Sequence, residues 1–230
     1  MVVLTGAGVS SDSGIPTFRD VGGVWSRFRP EDLASPEAFA RDPRMVWDWY
    51  RARAENVKEA QPNPGHISIA EMESLFPDFY LVTQNVDGLH QRAGSRRVIE
   101  LHGNLGRARC TTCPSVFPLE GAPLGPDGMP HCPSCGALAR PDVVWFGEPL
   151  PTDALEQAFE LSSRAQLFFS VGTSGLVQPA ASLPYIAKSA GAILVEVNPN
   201  ETPLSRVCDF VFRAGASEAI PAIVEAFHGI

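Results

Sequence analysis

Apolar residues gather in short runs: VVL (2–4), FYLVT (79–83), RVIEL (97–101), QLFFSV (166–171), AILVEV (192–197) and DFVFR (209–213). Runs this short and mostly apolar predict buried parallel strands covered on both faces. Helical patterns lie between them at 65–76, 152–163, 179–190 and 217–228. Strand and helix in alternation predict an α/β fold, a doubly wound parallel sheet. Two stretches break the alternation. Residues 26–64 are helical in pattern and carry the aromatic cluster MVWDWY, and residues 104–141 are rich in Pro, Gly and Cys. Both read as inserts that build a second, smaller module. The sheet-bearing part is then 1–25, 65–103 and 142–230.

Composition narrows the function classes. The chain has 230 residues, 44% hydrophobic and 19% charged, enough for one large α/β domain with a small insert and a substantial core. Net charge is −8 and no basic run occurs, which argues against nucleic acid as the main partner. No apolar run is long enough to span a bilayer. No secretory leader pattern is found at the N-terminus, so the expected location is cytoplasmic.

Four of the five cysteines, Cys110, Cys113, Cys132 and Cys135, have the spacing C-x2-C-x18-C-x2-C. Two such knuckles supply four thiolates to a tetrahedral zinc, and with the shell filled the ion is structural. The competing reading is a nucleic-acid-binding zinc ribbon, but its basic residues are few (Arg107, Arg109 and Arg140). His131, beside Cys132, reads as a surface histidine, and Cys208 as a small buried hydrophobe.

The stretch TGAGVSSDSGIPTFRD follows the first strand. Gly6, Gly8 and Gly14 permit a tight turn and close approach of backbone to a phosphate, with a helix start offering its N–H groups. The acidic ribose ligand usual about 20 residues on is not evident. The turn at Gly172, Thr173 and Ser174, and Asn198 after a later strand, are candidates for the rest of a nucleotide, although both are also ordinary turn and strand-end residues.

Seven ordered segments now stand together: GAGVSSDSGIPTFR (6–19), TQNVDGLH (83–90), ELHGN (100–104), the cysteine quartet, RPDVVWFGE (140–148), GTS (172–174) and VNPN (197–200). Over nearly its whole length the chain resembles the sirtuins, NAD-dependent protein lysine deacylases, and among them the compact bacterial members. The resemblance implies a Rossmann-like NAD-binding domain, NAD+ as cosubstrate, one structural Zn2+, and acylated lysine in an extended protein segment as substrate. It implies no nucleic-acid or membrane partner, and a monomer is favoured. Sirtuins usually have a short helix before the first strand; this chain starts at that strand, so part of the sheet is expected to be exposed.

The resemblance also implies roles. Ala7, Phe18, Arg19, Asp20 and Trp25 belong to the cofactor loop. Gln84, Asn85, Val86 and Asp87 surround the nicotinamide and its ribose. Gly172, Thr173 and Ser174 hold phosphate and ribose groups, and Asn198, Pro199, Asn200 and the backbone near Ala216 contact the adenosine. His102 matches the general base and counts, with Asn85, as catalytic. The products are nicotinamide, O-acyl-ADP-ribose and free lysine. His66 and His90 read as structural. The peptide pairs as an added strand along Val144, Phe146, Gly147 and Glu148.

The helical insert lines the acyl pocket in sirtuins. Tyr50 and Arg53 are three apart and share a helix face. Taken alone they read as a core aromatic beside a solvated arginine. At this position the pair resembles the desuccinylase and demalonylase class: Arg53 holds a terminal carboxylate, Tyr50 adds a hydrogen bond, and the small Ala34 leaves room for a longer acyl chain. Three other functions remain open to test: an NAD-dependent dehydrogenase, a mono-ADP-ribosyl transferase, and a non-enzymatic NAD or ADP-ribose sensor.

Overall fold

The computed structural model describes residues 1–17 and 29–229. In chain order the strands are β1 (Val2–Thr5), β2 (Tyr80–Thr83), β3 (Val98–Glu100), β4 (Gly103–Cys110), β5 (Val116–Pro118), β6 (Ala139–Val143), β7 (Leu167–Val171), β8 (Ile193–Val197) and β9 (Phe210–Phe212). The helices are α1 (Pro30–Leu33), α2 (Pro36–Arg41), α3 (Pro43–Glu59), α4 (Pro64–Leu75), α5 (Leu89–Arg92), α6 (Thr152–Ser163), α7 (Leu183–Ser189) and α8 (Ala216–His228).

Six strands form one sheet in the order β3-β2-β1-β7-β8-β9, every neighbour parallel. Successive side chains point to opposite faces, so both faces need cover. Leu4, Val82, Phe168 and Leu194 pack under α6 and α7 against Leu161 and Leu183. Val3, Leu81, Phe169 and Val195 pack on the other face against Ile69 and Met72 of α4 and Ile220 of α8. This double cover is why the inner strands read as mostly apolar runs; β9, at the sheet edge, departs from the expected burial, with Phe210, Val211 and Phe212 all exposed.

The second sheet, β5-β4-β6, is antiparallel. It is built by the Pro-, Gly- and Cys-rich stretch 104–141, which the sequence marks as an insert. Its apolar side joins α2 and α3 in a third core with Phe39, Trp47, Leu105, Ala108 and Trp145. The Trp47 indole N–H donates to the Ala139 carbonyl at 2.9 Å, fastening α3 to β6. Asp42 caps α3 by accepting from Met45 N–H at 3.0 Å, with Pro43 at the first helical position. The pattern at 179–190 resolves into a short 3-10 turn, Ala180–Ser182, followed by α7.

Candidate active site

In this strand order the chain winds outward in both directions from β1 and β7, and the crevice at their carboxyl ends is where such sheets bind ligands. Three glycines close the floor of that crevice. Gly6 N–H donates to the Val171 carbonyl at 3.1 Å and Gly8 N–H to the Gly172 carbonyl at 2.8 Å. A Cβ on Gly8 would stand 2.8 Å from that carbonyl oxygen, and one on Gly172, where φ is +59°, only 2.5 Å from Val9 N. Bare backbone is required on both sides of the crossing. The expected helix after this turn is a single 3-10 segment, Ala7–Ser13, closed by Gly14. The left-handed φ of +81° at Gly14 ends the helix before a longer one can develop.

Side chains beyond the glycines tie the strand ends together. Gln84 Nε2 donates to Thr173 Oγ1 at 3.0 Å, and Asn198 Nδ2 donates to the Thr173 carbonyl at 2.8 Å. These residues border a cavity of about 940 Å³ that runs from the glycine floor to the small sheet. Its lining includes Gly6, Ala7 and Gly8; Gln84, Asn85, Val86 and His102; Gly172, Thr173 and Ser174; Asn198, Pro199, Asn200 and Ala216. From the helical insert and the chain after β6 it takes Ala34, Tyr50, Arg53, Val144, Phe146, Gly147 and Glu148. Phe18, Arg19, Asp20 and Trp25 lie outside the described residues.

Asp87 stands apart from that lining. Its carboxylate accepts from Ser10 Oγ at 2.7 Å and from Leu89 N–H at 2.9 Å. Asn85 Nδ2 donates to the same Ser10 Oγ at 3.2 Å. His66 takes the Asn63 N–H on Nδ1, so its Nε2 carries the proton and points to Ser10 Oγ at 3.3 Å. His90 lies beside it, ring centroids 4.8 Å apart. Its Nε2 donates to Thr5 Oγ1, whose own proton goes to Thr83 Oγ1. Burial lowers the His66 pKa to about 4 and the His90 pKa to about 3, so both rings are neutral near pH 7.

His102 follows β3 with Nδ1 2.9 Å from the Gln84 carbonyl oxygen. A carbonyl only accepts, so Nδ1 carries the proton and the neutral ring keeps a lone pair on Nε2. Burial lowers its pKa, against the Gln84 contact, which raises it. The arrangement is a ring held in one tautomer, able to take a proton.

At the small-sheet side, Trp145 Nε1 donates to Tyr50 Oη at 3.0 Å. Burial raises the Tyr50 pKa to about 12 and lowers that of Arg53. The Arg53 guanidinium lies 4.7 Å from the Trp49 ring centroid. Glu148 has its carboxylate engaged within the chain. It lines the cavity, but Arg140 grips both its carboxylate oxygens and Trp145 N–H donates to one of them at 2.8 Å. The N–H groups of Val144 and Phe146 also donate within the chain, to His102 and Ala34 carbonyls. The Trp145 carbonyl in turn accepts from the Glu148 N–H at 3.0 Å. Trp145 itself was not among the expected site residues; the signal for it was the rule that a buried indole N–H needs an acceptor.

Residues 6–179 match a family model described as the Sir2 family. The chain belongs to the Sir2 family. Among relatives, an NAD-dependent protein deacylase of Aquifex aeolicus is 53% identical over 225 residues, 98% of this chain and 94% of that protein. An NAD-dependent protein deacylase of Thermus thermophilus is 54% identical over 228 residues, 97% of this chain and 89% of that one. A solved Sir2 homologue–NAD complex superposes with a TM-score of 0.91 at 52% identity, covering 99% of this chain and 89% of the other. A Sir2 complex with a p53 peptide and NAD+ gives 0.84 at 36% identity, covering 100% and 93%.

The cysteines of this Sir2-family chain converge as their spacing requires. Their four Sγ atoms lie within 4.8 Å of one another, with Cys110–Cys135 at 3.4 Å and Cys113–Cys132 at 3.6 Å. A tetrahedral zinc with bonds of 2.3 Å sets sulfurs about 3.8 Å apart, so the set fits one such ion. His131 turns away, to the Gly136 carbonyl and Asp127. None of the four cysteines lines the cavity. Among the described residues no helix is long and apolar enough to cross a membrane.

Proposed function

We propose that this protein is an NAD-dependent protein lysine deacylase that favours acyl groups ending in a carboxylate, succinyl or malonyl, and also removes acetyl. The observation that carries the reading is one cavity lined both by His102 and the glycine floor and by Tyr50 and Arg53. The names of its relatives and the NAD and peptide complexes of its neighbours support the NAD-dependent half.

In this reading the crossing of Gly6, Gly8 and Gly172 receives the diphosphate, and Thr173, Ser174, Asn198, Pro199, Asn200 and Ala216 hold the nucleotide. NAD supplies an electrophilic ribose carbon and a nicotinamide leaving group. Gln84, Asn85 and Val86 orient that ribose and keep water from it. His102 Nε2 takes the proton of a ribose hydroxyl so that the hydroxyl attacks the acyl carbon. The acyl oxygen would replace nicotinamide on the ribose carbon, and one water, admitted after nicotinamide has left, would be consumed in freeing the amine, so that nicotinamide, free lysine and O-acyl-ADP-ribose are the products. The substrate lysine enters on an extended segment beside Val144, Phe146 and Gly147. Arg53 then meets the carboxylate of an acidic acyl group, and Ala34 leaves the depth it needs. Residues 26–64 and 104–141 act together as the acyl- and zinc-bearing module against the NAD-binding remainder.

The test is one lysine peptide carrying either acetyl or succinyl, assayed with NAD by mass spectrometry on wild type and Arg53→Met. Loss of a charge-assisted bond predicts a succinyl-to-acetyl kcat/KM ratio at least about tenfold lower in the variant. An unchanged ratio overturns the acidic-acyl preference.

A further inference from the structure

We propose that Trp145 is a specificity-determining positioning residue: its indole N–H occupies the acceptor side of the Tyr50 hydroxyl and turns the phenol proton toward the acyl carboxylate. The inference rests on the acidic-acyl reading and adds a residue to it. An indole nitrogen only donates. At 3.0 Å from Tyr50 Oη, it makes that oxygen the acceptor. Among the described residues Trp145 is the hydroxyl's one hydrogen-bond partner, so the phenol's single proton remains for a ligand. Tyr50 is 5% exposed and its pKa is pushed up to about 12, so the proton is present at any working pH.

The indole is itself fixed. The Arg140 guanidinium stacks 3.4 Å from the Trp145 ring centroid, and Phe39 packs on the ring at 5.3 Å. Arg140 forks onto both oxygens of Glu148, which also accepts the Trp145 backbone N–H at 2.8 Å. Glu148, Arg140, Trp145 and Tyr50 thus form one chain of contacts ending at the cavity. An acyl group without a carboxylate has no acceptor at that end, so this chain selects between acyl groups.

The test is a double-mutant cycle on succinyl and acetyl peptides with wild type, Trp145→Phe, Tyr50→Phe and the double variant, with Arg53→Met alongside. Each single change is expected to lower the succinyl-to-acetyl kcat/KM ratio by about tenfold, and the double variant to fall no further. A purely structural Trp145 lowers both substrates alike, leaves the ratio intact and overturns the proposal, as do additive effects. If Arg53→Met collapses the ratio while Trp145→Phe leaves it, this inference fails alone; if Arg53→Met also leaves it, the acidic-acyl reading fails first. Should Trp145→Phe fold poorly, benzothienylalanine incorporated at position 145 keeps the bicyclic shape without the N–H and gives the same readout.

Discussion

His102 holds its imidazole against the Gln84 carbonyl oxygen, Nδ1 to oxygen 2.9 Å, and the contact chooses the tautomer that leaves Nε2 basic. Because burial lowers the His102 pKa, the ring stays neutral below the pH at which a free histidine protonates. Activity is lost as pH falls through that lowered value. The acid limb of kcat/KM is therefore expected below about 6.5, and His102→Ala is expected to cost about 10²–10⁴-fold in kcat. A pH–rate profile of wild type and a single-turnover assay of the variant measure both.

The glycine crossing admits no methyl group. In Gly8→Ala the new Cβ meets the Gly172 carbonyl oxygen at 2.8 Å, backbone against backbone, and the floor of the crevice must shift. A shift of that kind costs roughly 10²-fold in turnover. It should raise the KM for NAD while far-UV circular dichroism stays native.

Metal removal acts at a distance. None of the four cysteines lines the cavity, yet Cys110 and Cys132 share a core with Tyr50 and Trp145. Binding energy of a structural zinc is folding energy. Chelation, or Cys135→Ala, is expected to lower zinc content and deacylation together, with one zinc per chain in the active protein; elemental analysis alongside activity reads it.

His66 and His90 predict acid sensitivity. Both titrate near 6.5 when unfolded, but at about 4 and about 3 when folded. Below pH 6.5 the unfolded chain binds protons that the folded chain refuses. Their contribution is full above that pH and is lost as pH falls toward the folded values. The thermal midpoint should drop steadily between pH 6.5 and 4, and His90→Gln, which keeps a donor for Thr5, should flatten the slope.

The parallel sheet was legible because strands covered on both faces are apolar throughout: Phe168 and Phe169 both belong to a core, one on each side. β4 was not legible. Its sequence GNLGRARC carries polar residues where a strand signal needs apolar ones. What holds it is non-local: Arg107 and Arg109 meet Asp142 of β6 at 2.8 Å each, and Cys110 belongs to the metal cluster. Of the cavity lining, Gly6, Gln84, His102 and Gly172 lie in segments that the sequence presents as ordered motifs. Asp87 and Glu148 show what a motif leaves open. A motif places a carboxylate in the neighbourhood, but only packing decides that Ser10 and Arg140 engage it first.

The bond from Trp47 to Ala139 spans 92 positions of chain. During synthesis at 5–20 residues per second, α3 leaves the ribosome about 5–18 s before its partner strand exists. Through that interval Trp47 and Tyr50 lack Ala139, Val143 and Trp145, their later neighbours in the core. Tyr50, which later lines the cavity, sits until then on an aromatic face of the nascent chain that a chaperone can cover.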